Sequence, residues 1–156
     1  MGERNGFEDR EQVRALVVRA ARLLDDGSWE KFLELLSRDA TYVLQARSEE
    51  LGKDMTWLEA DRAELATLFK EYPQHIRDKG RRTHLVTPEE IETSSGAGKA
   101  FSTFAVFRTD LAGQSELYAV GHYEDELVLE DGAWKLRCRR VKVTTRQFTT
   151  PTPLPL

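Results

Sequence analysis

Cysteine is almost absent from this 156-residue chain, where Cys138 stands alone. A single thiol excludes an internal disulfide and a thiolate-rich metal cluster, and it suits a reducing compartment. Histidine is nearly as scarce. His75, His84 and His122 show neither the i,i+4 spacing of a zincin helix nor finger spacing, and no Asp-x-His cluster joins them. No run approaches the ~20 apolar residues of a membrane span. The opening "MGERNGFEDREQ" has no apolar core for a secretory signal, and Gly6 stands where a myristoylation signal has Ser or Thr. A basic surplus is also missing. The net charge of -4, with both signs interspersed, gives no argument for nucleic acid. No P-loop, dinucleotide glycine fingerprint or nucleophile elbow occurs, and "SSGAG" is too short and lies between strands. The expectation is a soluble, cytoplasmic protein with one domain over residues 1–156.

What is present is periodic. From Glu8 to Asp26, Val13, Leu16, Val17, Ala20, Leu23 and Leu24 recur at helical spacing, and Gly27 ends the pattern. Ser28 can cap a second helix whose broad apolar side holds Trp29, Phe32, Leu33, Leu35 and Leu36. Ala40–Ala46 reads as a short strand. A polar connection through Gly52 leads to a third helix over Thr56–Tyr72, with Thr56 and Glu59 in capping-box spacing and Pro73 at its end. The rhythm then changes to strands: "RRTHLVTPEEIET", with Pro88 a possible interruption, "KAFSTFAVFRTD", "SELYAVGHYEDELVLE", and, across the hairpin signal Asp131-Gly132, "AWKLRCRRVKVTTRQF". Three helices followed by long antiparallel strands predict an α+β fold with the helices packed on one side of a curved antiparallel sheet.

Curvature has its own marks. Trp134, Leu136 and Cys138 alternate on even positions, whereas Val141 and Val143 fall on odd ones, so a bulge near Arg139-Arg140 is expected, with Cys138 a small core residue. Gly121 inside the preceding strand permits bending. A sheet wrapped round a helix makes a cone, and a hollow cone could hold an acid/base pair. The residues available for one are His84 with Asp25 or Asp26, and also Tyr42 and Asp61. The plainer roles are a structural histidine bonded to a carbonyl or a partner chain, and helix-end aspartates ahead of Gly27.

Arginine is more informative. Arg137, Arg139 and Arg140 crowd the last strand, facing the acidic run "HYEDELVLED" across the hairpin. Cross-strand pairing accounts for part of this. Arginine is also suited to bidentate pairs at subunit contacts, with Tyr118, Tyr123 and Trp134 as aromatic anchors. In "TPTPLPL" the prolines cannot extend a sheet, and Leu154 and Leu156 are apolar. Residues 149–156 are therefore expected to be a docking tail.

The stretches "ARLLDDGSWEKFLELLSRDATYVLQARSE", "DRAELATLFKEY" with "RRTHLVT", and above all "YAVGHYEDELVLEDGAWKLRCRRVKVTTRQF" resemble the small (β) subunit of the Rieske non-haem iron, aromatic-ring-hydroxylating dioxygenases. Thr87 replaces a frequent asparagine of that family, next to an unusual Pro88. The resemblance implies a cystatin-like, ketosteroid-isomerase-like cone. It further implies a non-catalytic subunit that supports assembly, with β–β trimer contacts inside a complex of three α and three β chains. No cofactor is then expected in this chain, the Rieske [2Fe-2S] cluster and mononuclear Fe(II) belonging to the α subunit, where a reductase or ferredoxin docks. Arg82, His84, Tyr123, Trp134, Arg137, Arg139, Arg140, Leu154 and Leu156 form the expected assembly set. The short Ser48–Met55 loop leans the substrate towards an aromatic carboxylate. The alternatives are a stand-alone dehydratase or isomerase using His84 with Asp25 or Asp26, and a small-ligand binding protein.

Overall fold

The computed structural model describes residues 5–74, 78–150 and 155–156. Helix α1 (Gly6–Asp25) starts where the Asn5 side chain accepts a hydrogen bond from the Phe7 N–H, and it buries the apolar stripe from Val13 to Leu24. It ends in a Schellman motif. Gly27 takes φ +67°, Ser28 N–H reaches the Leu23 carbonyl at 2.9 Å, and Gly27 N–H reaches that of Leu24 at 3.2 Å. Helix α2 (Trp29–Glu34) is short and buries Phe32.

The next segment departs from expectation. Strand β1 (Leu36–Ser48) is nearly twice the predicted length, and Lys53–Asp61 is strand β2, hairpinned onto it rather than loop and helix. The capping box consequently lies five residues later. Asp61 Oδ1 accepts from Glu64 N–H and Glu64 Oε2 from Asp61 N–H, both at 2.8 Å, so helix α3 runs Arg62–Glu71. "TWLE" and "DRAE" both satisfy the box, and the hydrogen-bonding edge of β1 decides between them by claiming the first. A 3₁₀ turn, Tyr72–Gln74, follows.

Strands β3 (Arg81–Ser94), β4 (Ala97–Thr109), β5 (Ser115–Glu130) and β6 (Ala133–Val143) complete one six-stranded sheet of order β2-β1-β6-β5-β4-β3. Every pairing is antiparallel except β1 with β6, so the sheet is mixed. Pro88 does not break β3; the strand absorbs it with a register shift between Pro88 and Glu90. The predicted bulge exists but sits earlier. Register with β5 passes from Leu136 to Cys138, so Arg137 is the extra residue. Cys138 is therefore half-buried on the outer face, not in the core, and Arg139 turns inwards with Val141 and Val143.

Two features hold the cone together. Helix α1 lies along edge strand β3 and answers its outward backbone groups: Asp25 Oδ2 accepts from His84 N–H at 2.7 Å, and Arg14 donates to the Pro88 carbonyl at 3.1 Å. Gly121 provides the tightest backbone approach, since a Cβ there would stand 2.3 Å from the Lys142 carbonyl. The core lies between α1–α3 and the concave face, around Phe32, Phe104, Tyr123, Tyr42 and Val141.

Candidate functional site

The expected acid/base residues are only partly gathered. Asp25, at the last turn of α1, and His84, on β3, meet: His84 Nδ1 lies 2.5 Å from Asp25 Oδ1, with side chains 2% and 17% exposed. They stand at the floor of a groove of about 530 Å³ lined also by Val18, Arg22, Asp26 and Arg82. One carboxylate thus binds both the ring and the backbone N–H of the same residue, which fixes the imidazole. Its Nε2 is buried without a hydrogen-bond partner, and Phe104 lies beyond it with ring centroids 6.5 Å apart. Asp26 pairs with exposed Arg22 instead, at 3.6 Å. Asp61 serves the α3 cap. Tyr42 lies elsewhere in the core, and burial pushes its phenol well above the ordinary range.

A second polar group lines the sheet's inner face. In register across β1, β6 and β5 stand Tyr42, Arg139 and Asp125. Arg139 donates Nε–H to Asp125 Oδ1 at 2.9 Å and Nη2–H to Oδ2 at 2.8 Å. Its guanidinium lies 4.1 Å over the centre of the Tyr123 ring, which stacks on Phe104 at 4.5 Å. Burial opposes the Arg139 charge, yet the Asp125 carboxylate outweighs it, and the guanidinium pKa is held above its ordinary value. Burial is also the main cause that raises the Tyr123 phenol. Asp125 was detectable from phase alone, since it shares the odd, inward positions of β5 with Tyr123 and Leu127.

Most of the expected interface residues turn inwards. Arg139, Tyr123 and Trp134 are buried, and Trp134 Nε1–H donates to Asp9 at 2.9 Å. Arg139 faces the core because the Arg137 bulge reverses the face of the β6 residues after it, whereas Tyr123 and Trp134 already occupy inward positions of β5 and β6. Arg137 and Arg140 do face outwards, beside Asp39 at 3.3 Å and Glu124 at 3.8 Å. Arg82 lies over the Tyr118 ring at 4.7 Å.

The tail folds onto its own subunit wherever it is described. Thr150 offers its carbonyl to Tyr118 Oη at 2.6 Å and its hydroxyl to Asp78 at 3.1 Å, while Thr149 donates to Glu116 at 2.8 Å. Asp78 is itself held by two N–H groups of Arg108, a clamp that no sequence pattern announced. Leu156 is wholly buried, its N–H donating to Tyr42 Oη at 2.9 Å and its carbonyl accepting from the same hydroxyl at 2.7 Å. Leu156 therefore docks inside the cone and not on a partner; Leu154 lies outside the described residues. Among the described residues, no group of three or more His, Cys, Asp or Glu side chains is placed to hold a metal ion, and no helix is long and apolar enough to cross a membrane.

A helix-backed curved sheet with this order is the cystatin-like cone also found in solved structures of the NTF2-like type. The chain belongs to the SnoaL-like domain family, whose model matches residues 6–140. Within that class its similarities converge on oxygenase subunits. It is 28% identical over 141 residues to the β subunit of 2-aminobenzenesulfonate 2,3-dioxygenase from Alcaligenes sp., covering 90% of this chain and 94% of that one. It is 30% identical over 146 residues to the hydroxylase β subunit of methanesulfonate monooxygenase from Methylosulfonomonas methylovora, covering 87% and 81%. A solved β subunit of a candidate aromatic-ring-hydroxylating dioxygenase from Novosphingobium aromaticivorans superposes with a TM-score of 0.78 at 22% identity, over 89% and 91% of the two chains. Relatives and structural neighbours thus repeatedly match β subunits of aromatic-ring-hydroxylating dioxygenases.

Proposed function

We propose that this chain is the small, non-catalytic β subunit of a multicomponent aromatic-ring-hydroxylating oxygenase and acts in the cytoplasm to support assembly of an iron-bearing α subunit. The observation that carries this is near-full-length similarity to two oxygenase β subunits. In this reading the Rieske [2Fe-2S] cluster and the mononuclear Fe(II) reside in the α subunit. Electrons reach them through a reductase or ferredoxin docked there, and three α and three β chains assemble through β–β contacts. Arg137 and Arg140, which face outwards beside Asp39 and Glu124, are the residues of the expected assembly set that would meet a partner.

The substrate is an aromatic compound with an acidic substituent. The Ser48–Met55 segment is no loop whose shortness favours carboxylate, because Ser48 and Lys53–Met55 are paired strand residues and only residues 49–52 turn the β1–β2 hairpin. Both named relatives instead bear sulfonate substrates in their names, so sulfonate stands beside carboxylate as the group to test.

Co-expression with an α chain that carries the Rieske ligand pattern Cys-x-His…Cys-x-x-His, followed by light scattering on the purified material, tests the proposal. A hetero-oligomer with equal numbers of the two chains is expected, and turnover of benzoate against benzenesulfonate by the reconstituted complex then assigns the acidic group. A strictly monomeric chain that ignores that partner overturns it.

The Asp25–His84 contact at the floor of a groove favours one second reading, an independent dehydratase or isomerase. There His84 would exchange a proton with substrate while Asp25 orients the ring. His84→Ala and Asp25→Asn separate the two: in the first reading they change stability and leave oxygenase turnover per assembled complex intact, whereas in the second they abolish turnover by the isolated chain.

A further inference from the structure

The three helices pack on the concave face, which leaves the outer face of the sheet to solvent. Much of that face is charged, but two adjacent rows of the register are not. Thr83, Phe107 and Leu117 form one row across β3, β4 and β5, and Leu85, Ala105 and Val120 form the next. Leu85 is 59% and Leu117 56% exposed, and Leu111, in the β4–β5 turn just beyond, is 82% exposed. Large apolar side chains gathered this closely mark an interaction surface, whereas single ones need no explanation. Two grooves of opposite sign lie on the same face. One, of about 370 Å³, has Glu90, Glu92, Glu124 and Glu126 against Lys99 and Arg140. The other, of about 410 Å³, has Arg47, Lys142 and Arg146 with His122 against Glu49 and Asp54. The first is net acidic and the second net basic. Glu90, Glu92, Glu126 and Arg146 form no ion pair among the described residues, so their charges are available to a partner.

We propose that the outer face of β3, β4 and β5, centred on Leu85 and Leu117, seats a second copy of this chain. Charge decides the occupant. A partner of one sign that covered both grooves would be repelled by one of them. A second copy brings both signs, so its basic groove can meet this acidic groove while leucine rows pack between them. Symmetric contacts between identical chains need such a self-complementary surface. The leucines exclude water at the centre, and the charged grooves fix how the copies are turned. This inference deepens the proposed function by naming the surface of its β–β contacts, and it rests on that reading for the number of copies.

Sedimentation of the isolated chain over a concentration series tests it. The unsubstituted chain is expected to self-associate, and Leu85→Lys with Leu117→Lys should weaken that association at least ten-fold. Both side chains are exposed, so circular dichroism should show the fold retained. Should that variant fail to fold, charge exchange carries the test. Glu90→Lys with Glu92→Lys, and separately Arg47→Glu with Arg146→Glu, should each weaken self-association, and mixing the two variants should restore it. A chain that is monomeric at every concentration, association unchanged in the leucine variant, or no recovery on mixing overturns the proposal. Binding of the α chain, measured in parallel, keeps the two readings apart. An α complex that forms from a chain monomeric by itself overturns this surface and leaves the proposed function standing. Self-association that survives in the leucine variant while α binding is lost gives the face to the α subunit and overturns the proposal as well.

Discussion

Arg139 and Asp125 meet inside the cone through two parallel hydrogen bonds of 2.9 and 2.8 Å, with side chains 1% and 0% exposed. The pair sits one register position from Tyr42 and under the electron-rich face of Tyr123, so the guanidinium is surrounded by groups that answer its charge. A residue that looked like an outward-reaching contact is therefore a structural element of the sheet's inner face.

Removing one partner of this pair should cost far more than replacing both. Asp125→Ala leaves a buried, uncompensated cation and is expected to destabilise the chain by about 3–5 kcal/mol. The double change Arg139→Met, Asp125→Leu should recover most of that loss. Urea denaturation of the three proteins measures the difference, and equal midpoints for the single and double variants would contradict it.

Gly121 has no room for a side chain. Its Cβ would meet the Lys142 carbonyl at 2.3 Å and Phe104 at 3.0 Å, the first a backbone atom that moves only with β6. Gly121→Ala should cost about 1–3 kcal/mol or more, as overpacked cores do. A thermal scan that shows no loss would mean the β5–β6 spacing relaxes freely.

Acid should loosen the clamp on Thr150. The hydrogen bonds from Arg108 hold the Asp78 carboxyl below its ordinary pKa, against an opposing effect of burial and with help from Gly80 N–H. A folded-state pKa below the unfolded one means the stabilisation is complete above the unfolded value, about 3.9, and fades as pH falls towards the folded value. The unsubstituted chain should therefore exceed Asp78→Asn in melting temperature at pH 6 by the equivalent of about 1.5–3 kcal/mol, typical of hydrogen bonds to charged groups. The gap should narrow steadily below pH 4; a gap independent of pH would exclude this origin.

On the outer face, Arg137→Ala with Arg140→Ala should leave the isolated fold within about 1 kcal/mol, since exposed pairs contribute little. In the proposed complex the same double variant should weaken association with the α subunit. Circular dichroism together with sedimentation of the mixed subunits separates the two effects, and unchanged association would move the interface elsewhere on the surface.

The boundary at Asp61 shows where local reading stopped. The third helix was visible as a pattern of Leu65, Leu68 and Phe69, but its start was read at the Thr56–Glu59 capping sequence, whereas the structure uses the one at Asp61–Glu64. Only the unpaired edge of β1 excludes the first, because residues 53–61 gain a ladder of hydrogen bonds by lying against it. The candidate pair shows the same limit. His84 and Asp25 were both named from sequence, yet what joins them is α1 lying along the edge of β3, a contact over 59 residues of chain.

Periodicity and turn chemistry act over a few residues and survive any packing, so the α+β class, the apolar stripe of α1, the existence of β3, β4 and β5 and the likeness to oxygenase small subunits were legible in the sequence. Tertiary structure alone decided which side of β6 Arg139 occupies and where Leu156 goes. A one-residue bulge reverses the face of every later side chain, and the choice of its position rests on burying the Arg139–Asp125 pair together with Val141 and Val143. A hydroxyl more than a hundred residues away holds Leu156 inside its own cone, a contact that no local pattern could announce.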